Sequence, residues 1–413
     1  MNKPYIKKLP NGLTLAFIPR AGIKSVTIHL RGLAGSSFES KKQIGAAHLA
    51  EHLSVDNTLK EKLLFFGAKI IGVTSRDEAL FMVKINNKDL KLALEYLLGV
   101  FTQMDISEAD LQVKKNIVCE EVKRFENIPE KLIGRLSYRN LYKSQRMSKF
   151  NTGDIEDIMN LSLADIKEFK NTHYTAANFV LTISGDLSYP KVLKTVESVF
   201  GKLPKGEKVE FPEHATTSKM GILCAESPFF KQTHFKLDFY GYTVNNKKRH
   251  FANLLAKIFD DYLNDKVKSR LGLAYIINCD SFSSGRYGLF GIYFAASDER
   301  FRKAFEEILF FIKRVDAVVN TQSLERAKNR VMTDLEFDFE KTSFVSDYYS
   351  EMILFGNEKE NFDSELETIK NTDISEILNI AKEIFSQQPK ITVLSKQLTE
   401  TEIRKLWNSH LQR

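Results

Sequence analysis

Two rhythms of apolar and polar residues alternate along the chain. "GLTLAFIPRAGIKSVTIHLRGLA" (12–34) reads as strand, turn, strand, and "AKIIGVTSRDEALFMVKI" (68–85) reads the same way. Within "SVTIHLRG" every second residue is apolar, the period of a strand with one covered face. Between these segments, "GAAHLAEHLSV" (45–55) has helical spacing. The second half repeats the order. "MGILCAESPFFKQTHFKLDFYGY" (220–242) predicts strand, turn, strand. "HFANLLAKIFDDYLNDKVKS" (250–269) predicts a helix, and "GLAYIINCDSFSSGRYGLFGIYFAA" (272–296) predicts further strands. Two helices follow in each half, and "LQVKKNIV" from Leu111 aligns with "LERAKNRV" from Leu324. Each half then closes on a strand and a helix, "NFVLTISGDLSYPKVLKTVESVF" (178–200) and "PKITVLSKQLTETEIRKLW" (389–407).

A duplicated unit of roughly 200 residues explains this rhyme. The expected fold class is α+β: two duplicated domains, each a mostly antiparallel sheet with helices packed on one face. "KLPKGEKVEFPEHATTSK" (202–219) is proline-bearing, charged and aperiodic, so it reads as a linker. The expected boundaries are domain 1–204, linker 205–217 and domain 218–413.

Composition narrows the class. A chain of 413 residues with 43% hydrophobic and 27% charged residues suits two ordinary globular cores. The net charge of +7 comes from interspersed signs, which suits solvated helix faces rather than a nucleic-acid footprint. Cys119, Cys224 and Cys279 lie far apart without a C-x-x-C pair, as expected of a reducing, cytoplasmic setting. "MNKPYIKKLPNG" has no apolar core of a signal peptide, and no apolar run reaches the length of a membrane span. A soluble protein without membrane or nucleic-acid partners is the expectation.

The candidate chemistry sits in the first predicted helix. At about 100° per residue, His48 and His52 lie within about 40° of each other on a helix, with Glu51 on the same broad face. Two imidazoles at i and i+4 can share a metal ion, and neutral imidazole suits zinc. Zinc lowers the pKa of its water to about 7, and an adjacent, unligated glutamate can take that water's proton. The order H-x-x-E-H is the inverted form of a known zinc motif. Ile44, Ala46, Ala47, Leu49, Ala50 and Leu53 surround the pair with apolar residues, where unpartnered histidines would be costly. The matching helix of the second half has no such pair, so one half keeps the chemistry.

A catalytic zinc wants a third protein ligand. "NIVCEEVKRF" offers Glu120 and Glu121. Glu121 shares its helical side with Ile117, Val118 and Phe125 and is expected to point inward, whereas Glu120 lies with Asn116, Lys123 and Arg124. Glu121 is therefore the expected ligand. Asp334 occupies the equivalent place in the second half. His29, His173, His214, His234, His250 and His410 lack metal-like spacing and read as structural or solvent-facing. Gly285, Gly288 and Gly291 read as hairpin positions rather than a phosphate loop.

These residues resemble the insulinase (pitrilysin) zinc peptidases, most closely the short two-domain branch that includes the mitochondrial processing peptidase. The resemblance spans nearly the whole chain. Besides "HLAEH" it rests on "GLAGSSFES", "NIVCEEVKRFENIPE", "FKNTHYTAANFVLTISGDL", "FGKLP" and "LGLAY". It implies His48, His52 and Glu121 as ligands of one Zn2+ per chain and Glu51 as general base. It implies endopeptidase hydrolysis of short or unfolded polypeptides, laid as an added strand along an edge near Gly72, Val73, Thr74 and Ser75. It places Tyr275 where a phenol can hold a developing oxyanion, within an otherwise inactive second domain that contributes substrate contacts.

Three departures stand out. Lys268 occupies an arginine position, with Arg270 nearby as a substitute; lysine keeps the charge but loses the planar fork. Lys114 occupies a glutamate position. Glu121 follows His52 by 69 positions, fewer than usual for the family, with the shortening at "SVDNTLKEKL". The resemblance also implies a homodimer or a heterodimer with a related chain. The rival expectation is a non-catalytic scaffold or peptide-binding subunit of a heterodimeric peptidase.

Overall fold

The computed structural model describes residues 3–142, 145–212, 216–226 and 230–411. Two compact units divide the chain. The first comprises residues 1–123, 149–213 and 335–362, the second 124–148, 214–334 and 363–413. The α+β class is as the patterns predict. The units, however, are not contiguous halves. Each takes in one helical segment from the other half of the sequence.

The first unit contains β1 (Tyr5–Lys8), β2 (Thr14–Pro19), β3 (Ser25–Gly32), β4 (Lys69–Thr74), β5 (Ala79–Asn86) and β6 (Phe179–Gly185). They form one sheet in the order β1-β2-β6-β3-β5-β4, in which only the β2–β6 pair is parallel. Its helices include α1 (Ala46–Leu53), α2 (Asn57–Phe65), α3 (Leu90–Thr102) and α4 (Glu108–Glu126), whose last three residues fall in the second unit. Both sets of β3 side chains are buried. Val26, Ile28 and Leu30 belong to the apolar core. Thr27, His29 and Arg31 are buried on the alternate face, and the helix Thr342–Leu354 covers them. Thr27 Oγ1 meets Thr342 Oγ1 at 2.9 Å, and Arg31 Nε donates to Ser350 Oγ at 2.9 Å. Arg31 also pairs with Glu78 and Asp347. A buried arginine needs such partners, and they select which helix can lie there.

The second unit contains β7 (Gly221–Ala225), β8 (Thr233–Tyr240), β9 (Ile276–Ser283), β10 (Gly288–Ala296) and β11 (Lys390–Leu394), ordered β7-β11-β8-β10-β9. Only β7–β11 is parallel. Removing β1 from the first sheet leaves the same order and the same single parallel pair, which is the duplication seen in the sequence. Phe235, Leu237 and Phe239 of β8 enter the apolar core. Asp238 on the alternate face accepts from Ser137 of α5 (Pro129–Leu141), and Asn140 of α5 donates to Ile391 O at 2.8 Å. In each unit, then, most helices pack on the apolar face, and one helix from the other half of the sequence covers the polar face.

Candidate metal centre

α1 begins where Gly45 takes a φ of 93°. A Cβ there would come within 2.9 Å of Thr152 O, so both backbone and space require glycine. The helix buries Ala46, Ala47, Leu49, Ala50 and Leu53. That burial leaves His48, Glu51 and His52 on the remaining face.

The structure brings these three together with Glu121 of α4. His48 Nε2 lies 3.1 Å from Glu121 Oε2, and His52 Nε2 lies 3.6 Å from Glu121 Oε1. The imidazole centroids are 4.7 Å apart. Among the described residues, His48, His52 and Glu121 form the one cluster whose ligand atoms all lie within 4.8 Å of one another. Ligands of a tetrahedral zinc ion at about 2.0–2.1 Å are separated by about 3.3 Å. The histidine-to-carboxylate separations lie close to that value, and two imidazoles with one carboxylate are zinc-type donors, so the residues fit the ion.

Glu121 differs from the inward position expected of it. Ile117, one turn earlier, is exposed, while the buried stripe of α4 runs through Leu111, Lys115, Val118, Cys119 and Val122. Glu121 sits at the margin of that stripe, its side chain 34% exposed. From there it reaches both histidines. Glu120 is exposed and paired with Lys123.

Glu51 lies beside the cluster, with Oε2 3.6 Å from His48 Nδ1. Burial pushes its carboxyl up. Burial, and then the neighbouring His48, lowers His52 to about 4, so it is neutral and ready to ligate at neutral pH. Lys60 of α2 and Lys114 of α4 add positive potential at both groups.

Gly72 and Val73 lie exposed on β4, the edge strand of the first sheet. A Cβ on Gly72 would fall 1.9 Å from Glu51 Oε1, so the strand passes directly against the base. Thr74 is buried and its carbonyl accepts from Asn151. The Ser75 N–H donates to Glu78 O at 2.8 Å in the turn to β5. Of the four expected residues, the exposed ones are therefore Gly72 and Val73, which continue from an exposed Ile71.

Lys268, Arg270 and Tyr275 belong to the second unit. Tyr275 is 77% exposed. Arg270 pairs with Asp265 at 2.8 Å, and Lys268 is exposed on the same short helical segment, Asn264–Arg270. In that unit the helices corresponding to α1 and α4 are Lys248–Leu263 and Thr321–Phe339, the last five residues of which fall in the first unit. They are joined by Arg330–Asp261 at 2.7 Å and Arg326–Asp261 at 2.9 Å, while Asp334 is exposed. Ion pairs one and two turns before Asp334 tie these two helices together, and Asp334, the counterpart of Glu121, takes no part in them.

The remaining histidines have other surroundings. Burial lowers His29 and His173 to about 4. His234 Nδ1 lies 2.8 Å from the Tyr293 hydroxyl, and His250 pairs with Glu365. His214 and the His410 side chain lie outside the described residues. Sequence reasoning passed over two buried charges at the ends of α1, Glu39 and Lys170. Lys170 carried a signal: it occupies an apolar-face position with Ile166, Phe169 and His173 in the helix Leu163–His173.

Residues 17–152 match the family model described as Insulinase (Peptidase family M16), and residues 160–331 match Peptidase M16 inactive domain. The chain belongs to the M16 peptidase family. An "Uncharacterized zinc protease" of Rickettsia bellii is 24% identical over 94% of this M16 chain and 97% of its own length. The "Mitochondrial-processing peptidase subunit beta" of Bos taurus is 26% identical over 49% of this chain and 43% of its own. Among solved structures, a protease from Helicobacter pylori superposes with a TM-score of 0.88 at 18% identity, over 95% of this chain and 100% of that one. A chain of Complex III2 from Candida albicans gives 0.87 at 17% identity, over 97% and 99%. Both structures share the fold of this chain over nearly its whole length.

Proposed function

We propose that this M16 protein is a zinc-dependent endopeptidase acting on short or unfolded polypeptides. The observation that carries the reading is the meeting of His48, His52 and Glu121 with a buried, unligated Glu51 beside them. A scaffold has no need of all four. His48, His52 and Glu121 would hold one zinc ion, which when bound supplies Lewis acidity and a water of lowered pKa.

The chain's own residues do the rest. Glu51, with its carboxyl raised by burial, accepts a proton from water and returns it to the leaving amine. Gly72 and Val73 offer backbone groups to an extended substrate, which adds to the sheet edge as a further strand. The open pass at Gly72 brings that substrate backbone next to the base. The family resemblance adds Tyr275, whose hydroxyl would donate a hydrogen bond to the developing oxyanion, and Lys268 or Arg270 as a source of positive charge. The reading includes pairing with a second copy or a related chain and a cytoplasmic setting, consistent with three unpaired cysteines among the described residues. No helix among them is long and apolar enough to cross a membrane.

The test is digestion of a mixture of unstructured peptides by the zinc-loaded chain and by Glu51→Gln. Turnover falling about 10²–10⁴-fold in the variant, with zinc retained, supports the mechanism. Equal turnover in both proteins sinks it. Binding of peptides without cleavage by either favours the peptide-binding subunit.

A further inference from the structure

α1 has eight residues, little more than two turns. Such a helix leaves half of its backbone N–H and C=O groups without an internal partner and is not stable by itself. Gly45 at its start has no side chain with which to cap it. The cap comes instead from Glu39, whose Oε1 accepts the Ala47 N–H at 2.9 Å. At the far end the Ser54 N–H donates to Glu51 O at 3.2 Å, and Ser54 Oγ donates to Ala50 O at 2.6 Å. Lys170 Nζ then donates to Ser54 Oγ at 2.7 Å and to Gln103 O, just past the end of α3, at 2.9 Å. Glu39 and Lys170 are each 1% exposed.

We propose that Glu39 and Lys170 are positioning residues for the metal-binding helix. They grip its two ends so that His48, Glu51 and His52 meet Glu121 before any metal arrives. The grips fall on the backbone next to the functional side chains: Ala47 precedes His48, and Ala50 precedes Glu51. The groups have the hydrogen-bonding roles that helix ends require: Glu39 accepts at the first turn, and Lys170 donates, through Ser54, at the last. Stability alone does not account for them. Burying ionisable groups costs free energy, and well-packed apolar residues often serve a core as well or better. Burial lowers Lys170 to about 7, which records that cost. Preorganisation of ligands gives the cost a purpose, because groups that orient metal ligands typically account for 10–100-fold in affinity.

This inference rests on the zinc reading above, and one experiment separates the two. Zinc affinity is measured by competition with a chromogenic chelator on the full chain, for wild type, Glu39→Gln and Lys170→Met. Ser54→Ala is included because it breaks the Lys170 relay while keeping both Glu39 and Lys170. Phe235→Leu, in the apolar core of the second unit, serves as a variant that lowers stability away from the site. The expected result is a 10–100-fold loss of affinity in Glu39→Gln and Lys170→Met and a smaller loss in Ser54→Ala, with Phe235→Leu within twofold of wild type. Should Lys170→Met fail to fold, Ser54→Ala and Glu39→Gln decide. Wild-type affinity in all three site variants, or an equal loss in Phe235→Leu, overturns the positioning role and leaves the zinc reading standing. A wild-type chain that binds no zinc overturns both.

Discussion

Gly72 lies against Glu51 so closely that a single added methyl group would fall 1.9 Å from the Glu51 carboxylate oxygen. No real Cβ contact is that short, so in Gly72→Ala either the strand or the base must move. Both belong to the geometry proposed for catalysis, and a misplacement of about 1 Å can cost about 100-fold in rate. Gly72→Ala is expected to lower kcat about 100-fold or more while zinc stays bound. Peptide kinetics beside a metal assay checks this, and a variant as active as wild type would separate Gly72 from the reaction.

Zinc content should be one ion per chain. Glu121→Gln and His52→Ala should each reduce retained zinc after dialysis to a small fraction of that, because two remaining donors make a poor site. Asp334→Ala should retain the full ion, since Asp334 is exposed in the second unit and is not part of the His48, His52 and Glu121 cluster. Elemental analysis of the dialysed proteins reads all three directly.

Arg31 carries the polar face of the first sheet. Its side chain is 5% exposed and bonds Glu78, Asp347 and Ser350. Removing one partner from a buried ion cluster typically costs about 3–5 kcal/mol, because the remaining charge stays buried and uncompensated. Arg31→Met should therefore destabilise by about that amount in urea unfolding, leaving Glu78 without its cation. Asp347→Asn should cost less, because Asp347 is 46% exposed and water can replace part of what it supplies.

Lys170 makes a prediction about pH. Burial lowers it from 10.5 to about 7 in the folded chain. Between those values the unfolded chain holds the proton and the folded chain does not. The group's contribution to stability therefore rises with pH from about 7 to 10.5, by at most about 1.4 kcal/mol per unit. Urea unfolding at pH 7, 8 and 9 should show that slope in wild type, and Lys170→Met should lack it. Parallel pH profiles for the two proteins would contradict the burial of a titrating ammonium.

Local periodicity determined much of this protein. The strands around Val26, Ile28 and Leu30 and around Phe235, Leu237 and Phe239 follow from a period of two. The shared face of His48, Glu51 and His52 follows from the turn of a helix. Such spacing sets which residues are neighbours within one element, and it was enough to expose the duplication and the motif.

What tertiary structure alone decided is which elements meet. Periodicity says that a side chain is covered but not by what. Pro129–Leu141 follows α4 directly, yet it packs on the second sheet, because Ser137 and Asn140 answer the polar groups Asp238 and Ile391 O there. Thr342–Leu354 is joined to the first sheet by Thr27 and Arg31 in the same way. Glu121 was legible as a candidate from spacing, but its approach from the margin of α4, and not from its buried stripe, depends on how that helix lies beside α1. Glu39, Gly72 and Lys170 acquire their roles only where distant segments converge on one short helix, and no local pattern records that convergence.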